Sequence, residues 1–404
     1  MPWVVRGEFR KLWIGQAVSA SGSAITSVAL PLVAVVTLNA SPLEMGLLSA
    51  LTVLPHLLFG LSAGLLVDRV PLRPLLVIAD AGRAVVLGAI PLVWALGSLR
   101  IEHLYVVAVL AGVLTLLSDT ASLTFIPALV PRDELMQANS ASMLNQTVAS
   151  TTGPAVAGFL VQLVSAPFAI AFDALSFVVS GVASYLIKAP PKVAGPPRAK
   201  THVFTGLRVL FGHRLLAPLV LSATIAAVAG AMQAPLVVLY LVRELHWSPA
   251  LVGVAVTVVG AASVGGTLLA TPLTRYFGIG RTYTVGQLLV ALSGVTLTIG
   301  LAPFIFIAQA MAGLGMPLYG VPQRTLRQSL VPAELLGQAT AAWRTLVIGG
   351  QTIGAVSGGL IAGPLGLRPT LILSSAGMLA GCLYAALSPL RSLRKLPSHE
   401  QIAP

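Results

Sequence analysis

Apolar stretches of 18 or more residues recur along the whole chain, separated by short polar turns, and this pattern constrains the fold more than any other feature. A helix crossing a bilayer needs ~20 apolar residues, and such runs cannot all be hidden inside a water-soluble domain. Charge is correspondingly scarce: of 404 residues, 56% are hydrophobic and 9% charged. Soluble domains carry about 25% charged residues. A soluble enzyme, a disordered tail and a nucleic-acid binder are therefore excluded. The net charge of +12 would suggest nucleic acid in a soluble chain, but here the bases lie between apolar runs. They point instead to anionic lipid at the cytoplasmic face of a membrane. Cys382 is the one cysteine, so no intramolecular disulfide forms, and no Cys/His cluster offers a metal site.

Hydropathy and helix breakers place twelve spans near 12–38, 45–67, 74–96, 104–129, 138–164, 168–187, 214–242, 250–274, 282–302, 304–328, 338–363 and 367–388. The first resembles a cleavable signal only superficially: Gln16 interrupts it and the hydrophobic run resumes through Leu38, so an uncleaved span is expected. With both termini cytoplasmic, 19 Lys and Arg fall in inner segments and three (Arg100, Arg243, Arg368) in outer loops, with Arg83 and Arg344 inside spans. The positive-inside rule predicts such a split for an even number of spans. The expectation is an all-α membrane protein with an N-terminal six-helix bundle over 1–188, a Pro- and base-rich cytoplasmic linker over 189–212, a C-terminal six-helix bundle over 213–390 and a cytoplasmic tail over 391–404.

The halves repeat each other. Residues 129–139 and 330–340, 201 positions apart, are identical at six of eleven positions. The same offset carries Gly153 onto Gly354 and Gly158 onto Gly359. A parallel six-plus-six repeat is a transporter architecture, with two bundles flanking a midplane cavity.

The loop after span two reads Gly64-Leu65-Leu66-Val67-Asp68-Arg69-Val70-Pro71-Leu72-Arg73. It resembles the loop signature of the major facilitator superfamily, with Pro71 where that family usually has Gly. The resemblance implies that Gly64, Asp68, Arg69 and Arg73 form a latch holding the cytoplasmic side shut. Physically, Gly64 permits close helix approach and Asp68 suits a base or a helix N-terminus. Simple helix capping facing solvent is the other role open to Asp68-Arg69. In span five, Gly153-Pro154-Ala155-Val156-Ala157-Gly158 resembles the Gly-Pro motif of superfamily exporters, with Ala157 replacing a glycine. Gly153, Pro154 and Gly158 can bend the helix at a contact, or can serve small-residue packing alone. Asp80-Ala81-Gly82-Arg83-Ala84 and Asp119-Thr120-Ala121-Ser122 with the Pro127–Pro131 segment resemble the branch containing macrolide-efflux proteins and enterobactin exporters.

Charge inside a span is costly unless paired or hydrated. Asp80 and Arg83 are three apart on one helix face, Arg83 ~13 Å into span three. They can act as a structural pair bracing Asp68 or as part of a proton path. Asp119 has no base in its own span and lies ~15 Å above the inner end, where a lone carboxylate can exchange a proton with cavity water or make a packing hydrogen bond. His56, after Pro55 in span two, is a proton site or a packing histidine. Asp173, ~8 Å from the outer end of span six, is expected to reach the interface, and Arg344 to snorkel. Gln16, Asn145, Gln233, Gln309 and Gln351 are candidates to line a substrate cavity. Gly313 through Pro322 marks span ten as irregular.

Composition yields a polytopic helical bundle, and the resemblance adds export of drug-like compounds. The resulting expectation is a monomeric secondary transporter of a bacterial inner membrane, exporting a small amphipathic substrate in exchange for protons, with no cofactor. No Walker-type phosphate loop is present to support ATP hydrolysis. An importer or facilitator on the same fold is a rival. A membrane-embedded enzyme is a weaker one, because the acids are scattered rather than clustered at one face.

Overall fold

A computed structural model describes residues 7–188 and 203–394. Twelve long helices carry those residues: α1 (Gly7–Leu32), α2 (Pro42–Arg69), α3 (Leu72–Ala95), α4 (Ile101–Leu129), α5 (Leu135–Val164), α6 (Ala166–Tyr185), then α8 (Leu216–Arg243), α9 (Pro249–Phe277), α10 (Ile279–Leu297), α11 (Ala302–Leu330), α12 (Ala333–Leu365) and α13 (Leu367–Leu387). A shorter helix, α7 (Val203–Gly212), precedes α8. Eleven of the long helices are long and apolar enough to cross a membrane. The twelfth, α10, is 19 residues and more polar, and it packs on α11 and α13.

Local chemistry sets the ends. Ser41 caps α2 by accepting from the Glu44 backbone N–H, while the Glu44 carboxylate accepts from the Ser41 N–H at 2.6 Å. Pro42 occupies the first turn, where its missing N–H costs nothing. After Pro31, α1 widens into a single wide turn over Val33–Thr37. Ser165, at φ 98°, joins α5 to α6, and Gly366, at φ 89°, joins α12 to α13. These left-handed corners stand 201 positions apart, so the sequence repeat is also a conformational one.

The chain forms two compact units, one of Met1–Pro197 with Leu241–Thr257, the other of Arg198–Tyr240 with Val258–Pro404. In the first, α6 packs between α1 and α3, α5 lies on α1, and α4 contacts α2 and α3. Phe9, Leu12, Val67, Leu76, Phe125 and Ile187 fill one end of it. In the second, α10 packs on α11 and α13, and α7 lies on α12, with Leu210, Leu219, Tyr283, Leu326 and Trp343 in a common core. Small residues set the closest approaches. A methyl on Gly153 would strike Ala24 of α1, and one on Gly354 would strike the Val228 backbone of α8.

Two expectations change. Of the linker expected over 189–212, residues 189–202 lie outside the described residues, while 203–212 form α7, whose Gly206 packs on the Gln338 backbone. Within the expected tail, Lys395 onward is likewise outside them. The Gly313–Pro322 tract is not irregular: α11 runs unbroken with Pro317 and Pro322 inside it. Gly313 and Gly315 meet neighbouring helices almost backbone to backbone, so tight packing holds the segment helical despite its breakers.

Candidate functional site

The first unit encloses a charged cluster. Asp80 and Arg83 lie one turn apart on α3, 2% and 6% exposed, and are joined as an ion pair. The Arg83 Nη2 also donates to the Ser118 hydroxyl of α4 at 2.8 Å, and its guanidinium lies 4.0 Å from the Phe177 ring centroid on α6. Three helices therefore hold one cation through a carboxylate, a hydroxyl and an aromatic face. Ser180 of α6 faces Asp80, and the α3–α6 approach is tight enough to put Gly181 against the Asp80 side chain. Asp119 follows Ser118 on α4 and is exposed, with Arg83 and His56 of α2 both within electrostatic reach. His56 is half-buried. Sequence spacing gave Asp119 no partner, and the packing of α2 and α3 on α4 supplies two.

Asp173 overturns its expectation. Its side chain does not reach the surface but is 1% exposed, enclosed between α6 and α1. Gly22 makes room for it: a Cβ there would come within 2.5 Å of the carboxylate oxygen. The Ser176 hydroxyl donates to Asp173 Oδ1 at 3.1 Å, Thr26 of α1 faces it, and Arg83 is within electrostatic reach. The sequence signal for this site is the helical spacing of Asp173, Ser176, Ser180 and Ser184, all buried on α6.

The other candidate residues disperse. Gly64 is half-buried near the end of α2 and Arg69 is exposed, while the Asp68 side chain lies outside the described residues. Arg73 donates to the Tyr185 carbonyl and lies 5.0 Å from the Tyr185 ring centroid, tying the start of α3 to the end of α6. In α5, Gly153 packs on α1 and Gly158 on the Gly253 backbone, within the α9 portion that belongs to this unit. Pro154 is buried, and α5 continues through it from Leu135 to Val164. Gln16 and Asn145 bridge α1 and α5: Asn145 donates to the Trp13 carbonyl at 3.0 Å, and Ser142 to Gln16 Oε1 at 3.5 Å. In the second unit Gln233 accepts from Ser374 at 3.5 Å, Gln309 is buried in α11 and Gln351 half-buried in α12. Arg344 is exposed. The second unit also holds a polar group that the spacing did not reveal: the Tyr283 hydroxyl lies 2.7 Å from the Ser222 Oγ and accepts from Gln287 Nε2 at 3.0 Å.

Twelve long helices built as a repeat of six, with charge enclosed in one half, define a transporter of the major facilitator superfamily, not an enzyme. The chain belongs to the family described as transmembrane secretion effector, which it matches over residues 3–403. It is 26% identical to macrolide efflux protein A of Streptococcus pyogenes, covering 96% of this chain and 97% of that protein. It is 24% identical to the enterobactin exporter EntS of Salmonella typhimurium, covering 98% and 94%. Among solved structures, a bacterial homologue of the iron transporter ferroportin in an inward-facing state matches with a TM-score of 0.74 at 16% identity, covering 94% of this chain and 97% of that one. The nucleoside transporter NupG matches with a TM-score of 0.77 at 11% identity, covering 94% and 99%. These structural likenesses concern the fold.

Proposed function

We propose that this protein is a proton-coupled exporter of amphipathic compounds, working by alternating access in a bacterial inner membrane with both termini cytoplasmic. Export is the activity named for two curated relatives that match nearly the whole chain. The observation that carries proton coupling is the arrangement around Arg83: an ion-paired, buried Asp80 beside an exposed Asp119 within reach of His56. A carboxylate that is not enclosed by its own helix bundle can take up a proton, and its charge then changes the field on a cation that three helices share. Protonation of Asp119 weakens its attraction for Arg83, strengthens the Asp80–Arg83 pair by default and alters how α3, α4 and α6 are held together. A helix contact with two such arrangements is what an alternating-access cycle needs.

The substrate class is proposed by analogy with these relatives, which are named for macrolides and enterobactin. The apolar character of the helices agrees with an amphipathic cargo, and anionic lipid at the cytoplasmic face agrees with the inner-segment bases. The protein is proposed to act as a monomer. The test is uptake of a macrolide and of enterobactin into inside-out vesicles carrying this chain, with an imposed pH gradient and with the gradient collapsed. Accumulation that depends on the gradient supports the reading, and accumulation indifferent to it refutes proton coupling.

A further inference from the structure

The second unit supplies an internal control for the charges of the first. Ser165 and Gly366 fix the register of α6 against α13 at 201 positions, which places Ser374 where the first unit has Asp173 and Gly381 where it has Ser180. For α1 against α8 the register is 207: Gly15 packs on Ser180, and Ser222 packs on Gly381. The same shift puts Ala229 at Gly22 and Gln233 at Thr26. Contacts agree, since Ser374 donates to the Ala229 carbonyl at 2.7 Å and to Gln233 Oε1 at 3.5 Å. For α3 against α10 the register is 204, with Gly82 on Leu114 answered by Gly286 on Gly315. It puts Thr284 at Asp80 and Gln287 at Arg83, and Gly320 stands where α4 has Asp119.

At each of these four positions the fold is thus satisfied by a neutral residue in one unit and an ionisable one in the other. Packing of this architecture does not require the charges. Nor do the charges cancel: Asp80, Asp119 and Asp173 all lie within electrostatic reach of one guanidinium, Arg83. The Arg83 ion pair goes to Asp80, Asp119 is exposed with His56 in reach, and Asp173 is left enclosed with a hydroxyl as its hydrogen-bond partner and Arg83 in reach but not in contact. Of the elements packed on α6, α3 presents Asp80 and Arg83, with Arg73 ~10 Å farther along the helix at Tyr185, and α5 and the turn at Val33–Thr37 contain no ionisable residue. On α1, Glu8, Arg10 and Lys11 lie at the far end, at least ~22 Å along the helix from Thr26. An unbalanced carboxylate enclosed at this depth is favoured as its neutral acid.

We infer that Asp173 is a second, enclosed proton-carrying residue of the transport cycle, taking up one proton at its carboxylate when Arg83 is held by Asp80 and releasing it when Arg83 leaves Asp80 to pair with the Asp173 carboxylate. The step makes and breaks one O–H bond and changes the local charge by one. No other reactant is needed. This rests on the proton-coupled reading above and adds to it a site that Asp119 alone does not provide.

The test uses the full chain purified and reconstituted, with two variants. Asp173→Asn keeps the shape and cannot ionise, while the double variant Thr26→Gln/Asp173→Ser copies the neutral pair that α8 and α13 already use, so its packing has a precedent in the same molecule. Infrared difference spectra across a pH titration report a carboxylic-acid carbonyl band that both variants lack and that Asp119→Asn retains. In vesicles, macrolide uptake driven by a pH gradient falls about ten-fold or more in both variants while protein recovery and monodispersity stay at the parental level. A band unchanged in the variants, or gradient-driven uptake equal to the parent, overturns the inference and leaves the proton-coupled reading standing. Parental uptake indifferent to the gradient overturns both.

Discussion

Arg83 of α3 donates to the Ser118 hydroxyl of α4 at 2.8 Å while paired with Asp80 one turn below it. A guanidinium so placed cannot lose its anion cheaply, because both groups are almost fully removed from solvent. Arg83→Gln alone strands the Asp80 carboxylate and is expected to cost about 3–5 kcal/mol. Adding Asp80→Thr, which copies the Thr284 and Gln287 of the second unit, recovers much of that loss. Thermal unfolding of the purified single and double variants checks the non-additivity, and an equal loss in both would contradict it.

Asp119→Asn removes an exposed carboxylate from α4, so the fold should tolerate it. Gradient-driven export should nevertheless fall by about ten-fold, the usual size of a coupling between two ligands. Vesicle uptake with and without a pH gradient measures this, and an unchanged ratio of the two rates would remove Asp119 from the coupling.

Gly22→Ala pushes a methyl into the space of the Ser176 and Asp173 side chains. Overpacking of this kind costs typically 1–3 kcal/mol. Gly88→Ala, whose added methyl would sit 3.8 Å from Ala174 in ordinary contact, should be close to neutral. The paired comparison by thermal unfolding separates a specific clash from a general intolerance of side chains at these helix contacts.

His213, between α7 and α8 and outside the spans, accepts at Nδ1 from the Leu215 N–H at 3.1 Å. Burial, helped by Arg214, holds its imidazole below the usual range, so the folded state prefers it neutral. The unfolded chain then binds the proton more readily, and stability is complete above about pH 6.5 and declines as pH falls below it. Melting temperature as a function of pH should show a shallower acid decline in His213→Asn than in the parent.

Ser41→Ala breaks the reciprocal cap that starts α2. The expected cost is about 1 kcal/mol, read as a lower melting temperature. Ser41→Asn, which retains an accepting oxygen, should restore most of it.

Periodicity, breakers and the placement of bases were enough to read the helices: the expected spans overlap the twelve long helices one for one, because lipid forces each backbone to satisfy its own hydrogen bonds. The repeat was equally legible, and the structure extends it to the corners at Ser165 and Gly366. What spacing along one helix cannot report is which faces of different helices meet. The pair Asp80–Arg83 was readable because its members share a helix, whereas Ser118, Phe177 and His56 join it from α4, α6 and α2. Asp173 shows the difference most clearly. Its position in α6 suggested an interface, and only the approach of α1 at Gly22, a residue without a side chain, encloses it. Depth along a helix is set by the chain, but enclosure is set by the neighbour.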